Sequence, residues 1–318
     1  MVQRAAPADS AQKLQRLTAA VNSVFVSKPR VVTLTAATLL ARGHLLIEDV
    51  PGIGKTLLGV ALARSVDASF RRIQFTNDLL PSDILGLSVF SQKETQFEFK
   101  PGPIFSHVVL ADEINRSTPK AQSALLEAMN DRQVTIDGKT HVLPEPFLVI
   151  ATQNPVEYHG TYPLPEAQLD RFLMRLRIGY PSAEDAKRIL KEKDLSSQLQ
   201  ELRPALSKED VLELQAQADA VHVSEELLDY IVRVADATRT GKPFTLGLSP
   251  RGAQAVCRAA RAYALISGRD YCVPDDIKAV AAPVIAHRVV LDSSLYGVAK
   301  TLEAEEAVES VLAAVRSP

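Results

Sequence analysis

Tryptophan is absent, cysteine occurs only twice, and neither sign of charge prevails in this chain of 318 residues. Each shortage excludes something. Cys257 and Cys272 fall in segments that read as helical or next to a helix, where apolar packing is the expected role rather than a disulfide. A reducing, cytoplasmic setting is the expectation that follows. Lys and Arg number 36 against 38 Asp and Glu, a formal net charge of −2. A dedicated nucleic-acid sleeve usually carries a basic excess, so no nucleic acid is expected as partner, while a local basic patch stays open. No run of about eighteen apolar residues occurs, so no membrane span is expected. Met1 to Ser10 is polar and alanine-rich without an apolar centre, which is not the pattern of a signal peptide. What is there is a hydrophobic fraction of 46% and a charged fraction of 23%, ordinary for a globular chain. The length suits two domains better than one.

The apolar pattern divides the chain. Ala11 to Val26 and Val31 to Ala41 read as helices, the second ended by Gly43. A repeating unit of short apolar run, turn and helix then begins. Strands are expected at His44–Val50, Arg71–Thr76, His107–Glu113, Phe147–Thr152 and Leu176–Tyr180, with a helix from Lys55 to about Val66. Continuous apolar strands alternating with helices imply a parallel sheet buried on both faces. Two stretches break the alternation. Leu85 to Phe105 looks like an inserted hairpin, and Gln133 to Leu143 alternates around Asp137-Gly138, a strong hairpin dipeptide. Between them Thr118 and Pro119 suit the start of a helix whose buried side is Leu125, Leu126 and Met129. From Pro181 the strand pattern stops. Helices are expected at about 183–193, 207–220, 224–237, 249–267, 274–288 and 302–315, two of them opened by the Ser182/Asp185 and Ser207/Asp210 pairs. The domains are therefore 1–180, an α/β core with the N-terminal helices included, and 181–318, all-helical.

Gly52-Ile53-Gly54-Lys55-Thr56 lies directly between a strand and a helix. Glycines there let backbone N–H groups turn inward around phosphate oxygens, and the helix N-terminus adds its positive dipole. Lys55 would reach the β- and γ-phosphates, and Thr56 would place its hydroxyl on Mg²⁺. The full phosphate-loop pattern has glycine where this chain has Asp49. Val108 to Glu113 is an apolar strand ending in adjacent carboxylates: Asp112 can serve the Mg²⁺ shell and Glu113 can polarise a water. Such pairs also begin ordinary solvated loops, but ligands of open α/β sheets bind at the carboxyl ends of strands, where both motifs sit. Asn154 follows the next strand, and its amide can hold water or γ-phosphate. By itself an asparagine before proline is a common turn.

These segments resemble the AAA+ superfamily and, within it, the MoxR family. The resemblance rests on residues 48–56, on Leu110-Ala111-Asp112-Glu113-Ile114-Asn115-Arg116, on residues 122–129, on Ala151-Thr152-Gln153-Asn154-Pro155 and on residues 160–172 with Asp170-Arg171-Phe172. It covers roughly residues 12 to 315. It implies an α/β fold: an AAA+ P-loop core with a five-stranded parallel sheet and hairpin inserts, followed by an all-α lid domain. It implies ATP and Mg²⁺, with Pro51, Gly52, Ile53, Gly54, Lys55, Thr56, Leu57 and Asp112 around the nucleotide and Thr56 and Asp112 toward the metal. Glu113 and Asn154 match the catalytic glutamate and sensor 1, Arg171 the arginine finger, and Arg251 sensor 2. Arg175 and Arg116 compete for the finger's role. Near the adenine pocket the family commonly has a Gly-Gln pair, where this chain reads Val26-Ser27-Lys28-Pro29-Arg30.

An arginine beyond the reach of its own nucleotide can serve a neighbour's in a closed head-to-tail ring. The resemblance implies a homo-hexameric ring whose hairpins face the pore, and a protein client matured or assembled by ATP hydrolysis, with a von Willebrand A domain protein as partner. A nucleic-acid-stimulated motor is the alternative. A non-catalytic nucleotide switch is opposed by Lys55, Asp112, Glu113 and Asn154 all being present.

Overall fold

Three short runs with apolar residues on both sides of the backbone can be buried only between two layers, and they form the middle of a five-stranded sheet whose edge strands are more polar. The computed structural model describes residues 7–25, 28–49, 52–154, 161–191, 195–293, 295 and 297–318. Two helices, α1 (Pro7–Val24) and α2 (Pro29–Leu40), lead into β1 (Leu45–Glu48), α3 (Lys55–Ser65) and β2 (Phe70–Gln74). A short α4 (Pro81–Leu85) precedes an antiparallel hairpin of β3 (Gly86–Ser91) and β4 (Gln96–Pro101). Then come β5 (Val108–Asp112), α5 (Pro119–Asp131), a second hairpin of β6 (Gln133–Ile136) and β7 (Lys139–Val142), β8 (Leu148–Gln153), α6 (Glu166–Leu169) and β9 (Met174–Leu176). The sheet is five-stranded and parallel, in the order β2-β5-β8-β1-β9.

Alternation of side chains along each strand feeds two separate cores. Leu45 and Ile47 of β1 join the core that also holds Leu58 and Leu62 of α3 and the apolar faces of α1 and α2. Leu46, Val109 and Val149 point the other way, onto Leu125, Leu126 and Met129 of α5. The expected buried side of that helix is thus the observed one. Thr118 has N-cap backbone angles, but its side chain accepts no capping bond.

The C-terminal region is helical: α7 (Ala183–Lys191), α8 (Leu195–Glu201), α9 (Lys208–Ala220), α10 (Glu225–Thr240), then β10 (Phe244–Leu246), α11 (Pro250–Ile266), α12 (Pro274–Ile285), β11 (Val290–Leu291) and α13 (Gly297–Ala314). The pair β10–β11 is a small antiparallel ribbon within this region that the sequence pattern does not announce, and α4 and α8 likewise go beyond the expected elements. Ser207 and Asp210 form the expected capping box: each side chain takes a backbone N–H of the other residue, at 3.1 and 2.9 Å. Asp185 N–H donates to Ser182 Oγ at 3.1 Å in the same way. Thr301 of α13 donates to Glu48 at the end of β1, and Arg177 pairs with Glu305, so α13 grips the carboxyl side of the core. Both cysteines are free, and burial pushes the Cys272 thiol up to about 12. Among the described residues no helix is long and apolar enough to cross a membrane.

Candidate functional site

The loop after β1 turns through two glycines in the left-handed region, Gly52 at φ +84° and Gly54 at φ +91°. Gly54 caps the N-terminus of α3, so the first amides of that helix face the loop. Ile53 and Leu57 pack partly buried against the core beneath. Pro51 lies outside the described residues, as do Val26 and Ser27 of the stretch matched to the adenine pocket. Lys55 is 8% exposed, and its ammonium donates to the Asp49 carbonyl at 3.0 Å. Burial pulls its pKa down, against the opposing pull of Asp112, Asp49 and Glu113. A buried ammonium beside three carboxylates, with no ion pair among the described residues, suits a phosphate group.

Asp49 explains itself in the structure. Its carboxylate accepts the backbone N–H groups of Ile178 and Gly179, at 2.8 and 2.6 Å, and so ties the start of the loop to the stretch after β9. The same bonds correct the last strand. Leu176–Tyr180 was its expected span, but β9 covers Met174–Leu176, because the amides beyond are taken by a side chain instead of β1.

β5 brings Asp112 to the same end of the sheet. Its Oδ1 accepts the Thr152 hydroxyl at 2.6 Å, and Oδ2 accepts Arg72 Nε and Nη2 at 3.1 and 2.5 Å. Glu113 follows in a left-handed conformation, φ +57°. Its N–H donates to the Thr152 hydroxyl at 2.8 Å, so one threonine on β8 fixes both carboxylate residues. The Glu113 carboxylate accepts Gln74 Nε2 at 2.8 Å and pairs with Arg116 at 3.3 Å. Asn154 lies just past β8, buried, with its carbonyl accepting the Asn115 amide at 3.3 Å. Lys55, Thr56, Asp112, Glu113 and Asn154 thus stand at the carboxyl ends of three adjacent strands. An ammonium, helix-N-terminal amides, a hydroxyl and a carboxylate are the donor set that suits a triphosphate with Mg²⁺.

Arg171 and Arg251 do not join them. Arg171 and Arg251 line a separate cavity of about 160 Å³ with Arg288, Arg258 and Asp170. Gly43 and His44 also line it, and they precede β1. The four residues of β1, ~13 Å of extended chain, therefore lie between this cavity and the phosphate loop. Arg171 Nη1 donates to the Leu126 carbonyl at 2.6 Å. Arg251 Nε pairs with Asp170 at 3.4 Å, and its side chain is 62% exposed. Arg251 was expected to report on γ-phosphate from the lid; the fold sets it beside Arg171 and away from the loop of its own chain. Of the competing arginines, Arg175 is 8% exposed within β9 and paired with Glu48 at 3.5 Å. Arg116 is engaged with its own Glu113.

His44 anchors this end of the sheet. Its Nδ1 accepts the Val149 N–H at 3.0 Å, which leaves Nε2–H to donate to the Met129 carbonyl at 3.1 Å. Burial pushes its pKa down to about 4. Thr152, Gln74 and Arg72 escaped the sequence reading. Strand register could have found the first two, since Gln74 pairs with Asp112, and Thr152 follows Ala151, the partner of Ala111, on the neighbouring strand. Nothing in the sequence points to Arg72.

Comparison with known proteins agrees with this arrangement. Residues 44–174 match the ATPase family associated with various cellular activities (AAA), and residues 236–311 match the AAA lid domain. The chain is 49% identical over 300 residues to the uncharacterized protein YeaC of Bacillus subtilis, covering 94% of this chain and 92% of that one. It is 42% identical over 316 residues to Chaperone MoxR1 of Mycobacterium tuberculosis, covering 96% and 82%, and 31% identical over 297 residues to Protein MoxR of Paracoccus denitrificans, covering 86% and 87%. A crystal structure from Cytophaga hutchinsonii, described there as an ATPase, superposes with a TM-score of 0.87 at 38% identity, covering 98% and 97%. With the sheet, the phosphate loop and the helical lid all in place, the chain belongs to the MoxR family of AAA+ ATPases.

Proposed function

We propose that this protein binds ATP with Mg²⁺ at the carboxyl ends of β1, β5 and β8 and hydrolyses it as a head-to-tail ring, six subunits being the family's habit. The observation that carries the reading is the pair of ends just described: Lys55 with Asp112 and Glu113 at one end of the sheet, where Arg72 and Arg116 are already paired with those acids, and the Arg171–Arg251 cavity at the other. The backbone N–H groups of residues 52–57 wrap the phosphates, Lys55 meets the β- and γ-phosphates, and Thr56 and Asp112 hold the metal. Mg²⁺, when bound, neutralises phosphate charge. Glu113 orients and polarises the attacking water, held by Gln74 and by the Thr152 bond to its own N–H. Asn154 steadies that water or the γ-phosphate. The transition state spreads negative charge over the phosphoryl oxygens, and a guanidinium stabilises it best. Arg171 cannot supply this to its own nucleotide. It can supply it to a neighbour's, with Arg251 beside it, if subunits pack head to tail.

The work done is remodelling of a protein client in the cytoplasm. The relative in Mycobacterium tuberculosis named a chaperone supports that class, and the family resemblance supports a von Willebrand A domain protein as partner. Two exposed hairpins supply surfaces for a client: Phe97 is 70% exposed on β4, and Val142 is 73% exposed on β7. The experiment is phosphate release measured across a dilution series, alongside particle size. Specific activity should rise as rings form. Activity that is full in a dilute monomer would overturn the shared site, and no ATP cleavage in assembled rings would overturn the reaction. Glu113→Gln held in ATP is then the bait with which to identify the client.

A further inference from the structure

We infer that Arg288, on the lid, is a positioning residue that aims the Arg171 loop at a neighbouring protomer's nucleotide. The inference rests on the ring reading above and names the part of the lid that makes it work. Arg288 lies three residues beyond α12, with its side chain 4% exposed. Its Nε donates to Asp170 Oδ1 at 2.7 Å, Nη2 donates to the carbonyls of Asp170 and Phe172 at 3.2 and 2.5 Å, and Nη1 donates to the Leu173 carbonyl at 3.0 Å. Asp170 and Phe172 are the residues on either side of Arg171. The adjacent His287 ring also bonds the Phe172 carbonyl at 3.0 Å. The second oxygen of Asp170 faces Arg251 Nε at 3.4 Å. One guanidinium thus holds the backbone on both sides of Arg171, and one carboxylate joins two lid arginines to that loop.

This contact is costly, which makes its role hard to read as adhesion alone. Desolvation pulls Arg288 down to about 10, opposed by Asp170. A buried ion pair often gives no more stability than apolar packing of similar size. What the planar fork provides, and an apolar contact does not, is fixed direction. Direction is what a residue acting across a subunit boundary requires, since a misplacement of ~1 Å can cost about 10²-fold in rate. Gly252 leaves room for the packed Leu248 and for the stem of Arg288: a Cβ there would fall 2.4 Å from Leu248 Cδ1 and 3.2 Å from Arg288 Cδ.

The test uses Arg288→Met and Arg288→Lys. Arg288→Lys keeps a charge beside half-buried Asp170, so it carries the test if Arg288→Met does not fold. The full-length variants should assemble as wild type and bind a fluorescent ATP analogue with unchanged affinity. Their kcat should fall about 10²-fold with KM unchanged. Mixing Arg288→Lys with Lys55→Ala subunits should restore turnover, because the Lys55→Ala subunit brings an intact finger loop to an intact nucleotide site. Arg171→Ala mixed with Lys55→Ala is the control. Rescue in the control but not with Arg288→Lys overturns the positioning role. No rescue in the control overturns the ring reading instead. Undiminished kcat in the pure Arg288 variants overturns the inference outright.

Discussion

The two ends of one parallel sheet have opposite chemistry. At the carboxyl end stand Asp49, Asp112 and Glu113 with the buried ammonium of Lys55, and Arg72 and Arg116 there are engaged by Asp112 and Glu113. At the amino end Arg171, Arg251, Arg258 and Arg288 surround one carboxylate, Asp170. The difference teaches why neither end is sufficient. The first can hold and orient a triphosphate and a water but has little positive charge to spare for the transition state. The second has that charge in surplus, at the far end of β1. On the proposed ring reading, the supply of one end meets the need of the other between molecules.

The comparison can be broken from either side, and the largest effect is expected at the amino end. Arg171→Ala should lower turnover by roughly 10³-fold or more while nucleotide affinity holds; parallel loss of affinity in a binding titration would mean that the arginine serves its own site. Next comes Glu113→Gln, which should retain ATP and lose about 10²- to 10⁴-fold in steady-state turnover. Near-normal phosphate release would remove the carboxylate from the water-activating role.

A third effect concerns stability at the amino end. His44 is held near pKa 4 in the folded protein, so its native form is neutral. An unfolded chain takes up that proton as pH falls through about 6.5. The unfolded state therefore binds more protons between about 6.5 and 4, and stability falls across that window by about 3 kcal/mol, present above it and lost below. Urea midpoints at neutral and acid pH measure this, and His44→Gln should flatten the dependence. An unchanged slope in that variant would place the acid-sensitive group elsewhere. The smallest effect sharpens the carboxyl end: Lys55→Ala should weaken ATP binding by about 2 kcal/mol, the scale of a charge-assisted hydrogen bond. Calorimetric titration reads it directly, and unaltered affinity would detach Lys55 from the phosphates.

Local sequence determined the carboxyl end. Residues 52–57 sit between a strand and a helix, so their backbone geometry follows from glycine and from the helix N-terminus, and Asp112-Glu113 is placed by the end of an apolar strand. The hairpins and most helices were legible for the same reason, since their periodicity and turn residues act within a few positions. Tertiary structure decided the rest. Asp49 shortens β9 by taking amides that are remote in sequence, and Thr152 binds Asp112 across the sheet. Arg251 and Arg288 meet Asp170 only because α11 and α12 pack against the amino end of the core. A motif fixes the chemistry of its own neighbourhood. Which distant charges share a cavity depends on how whole layers pack, because burial and pairing are properties of the assembled core.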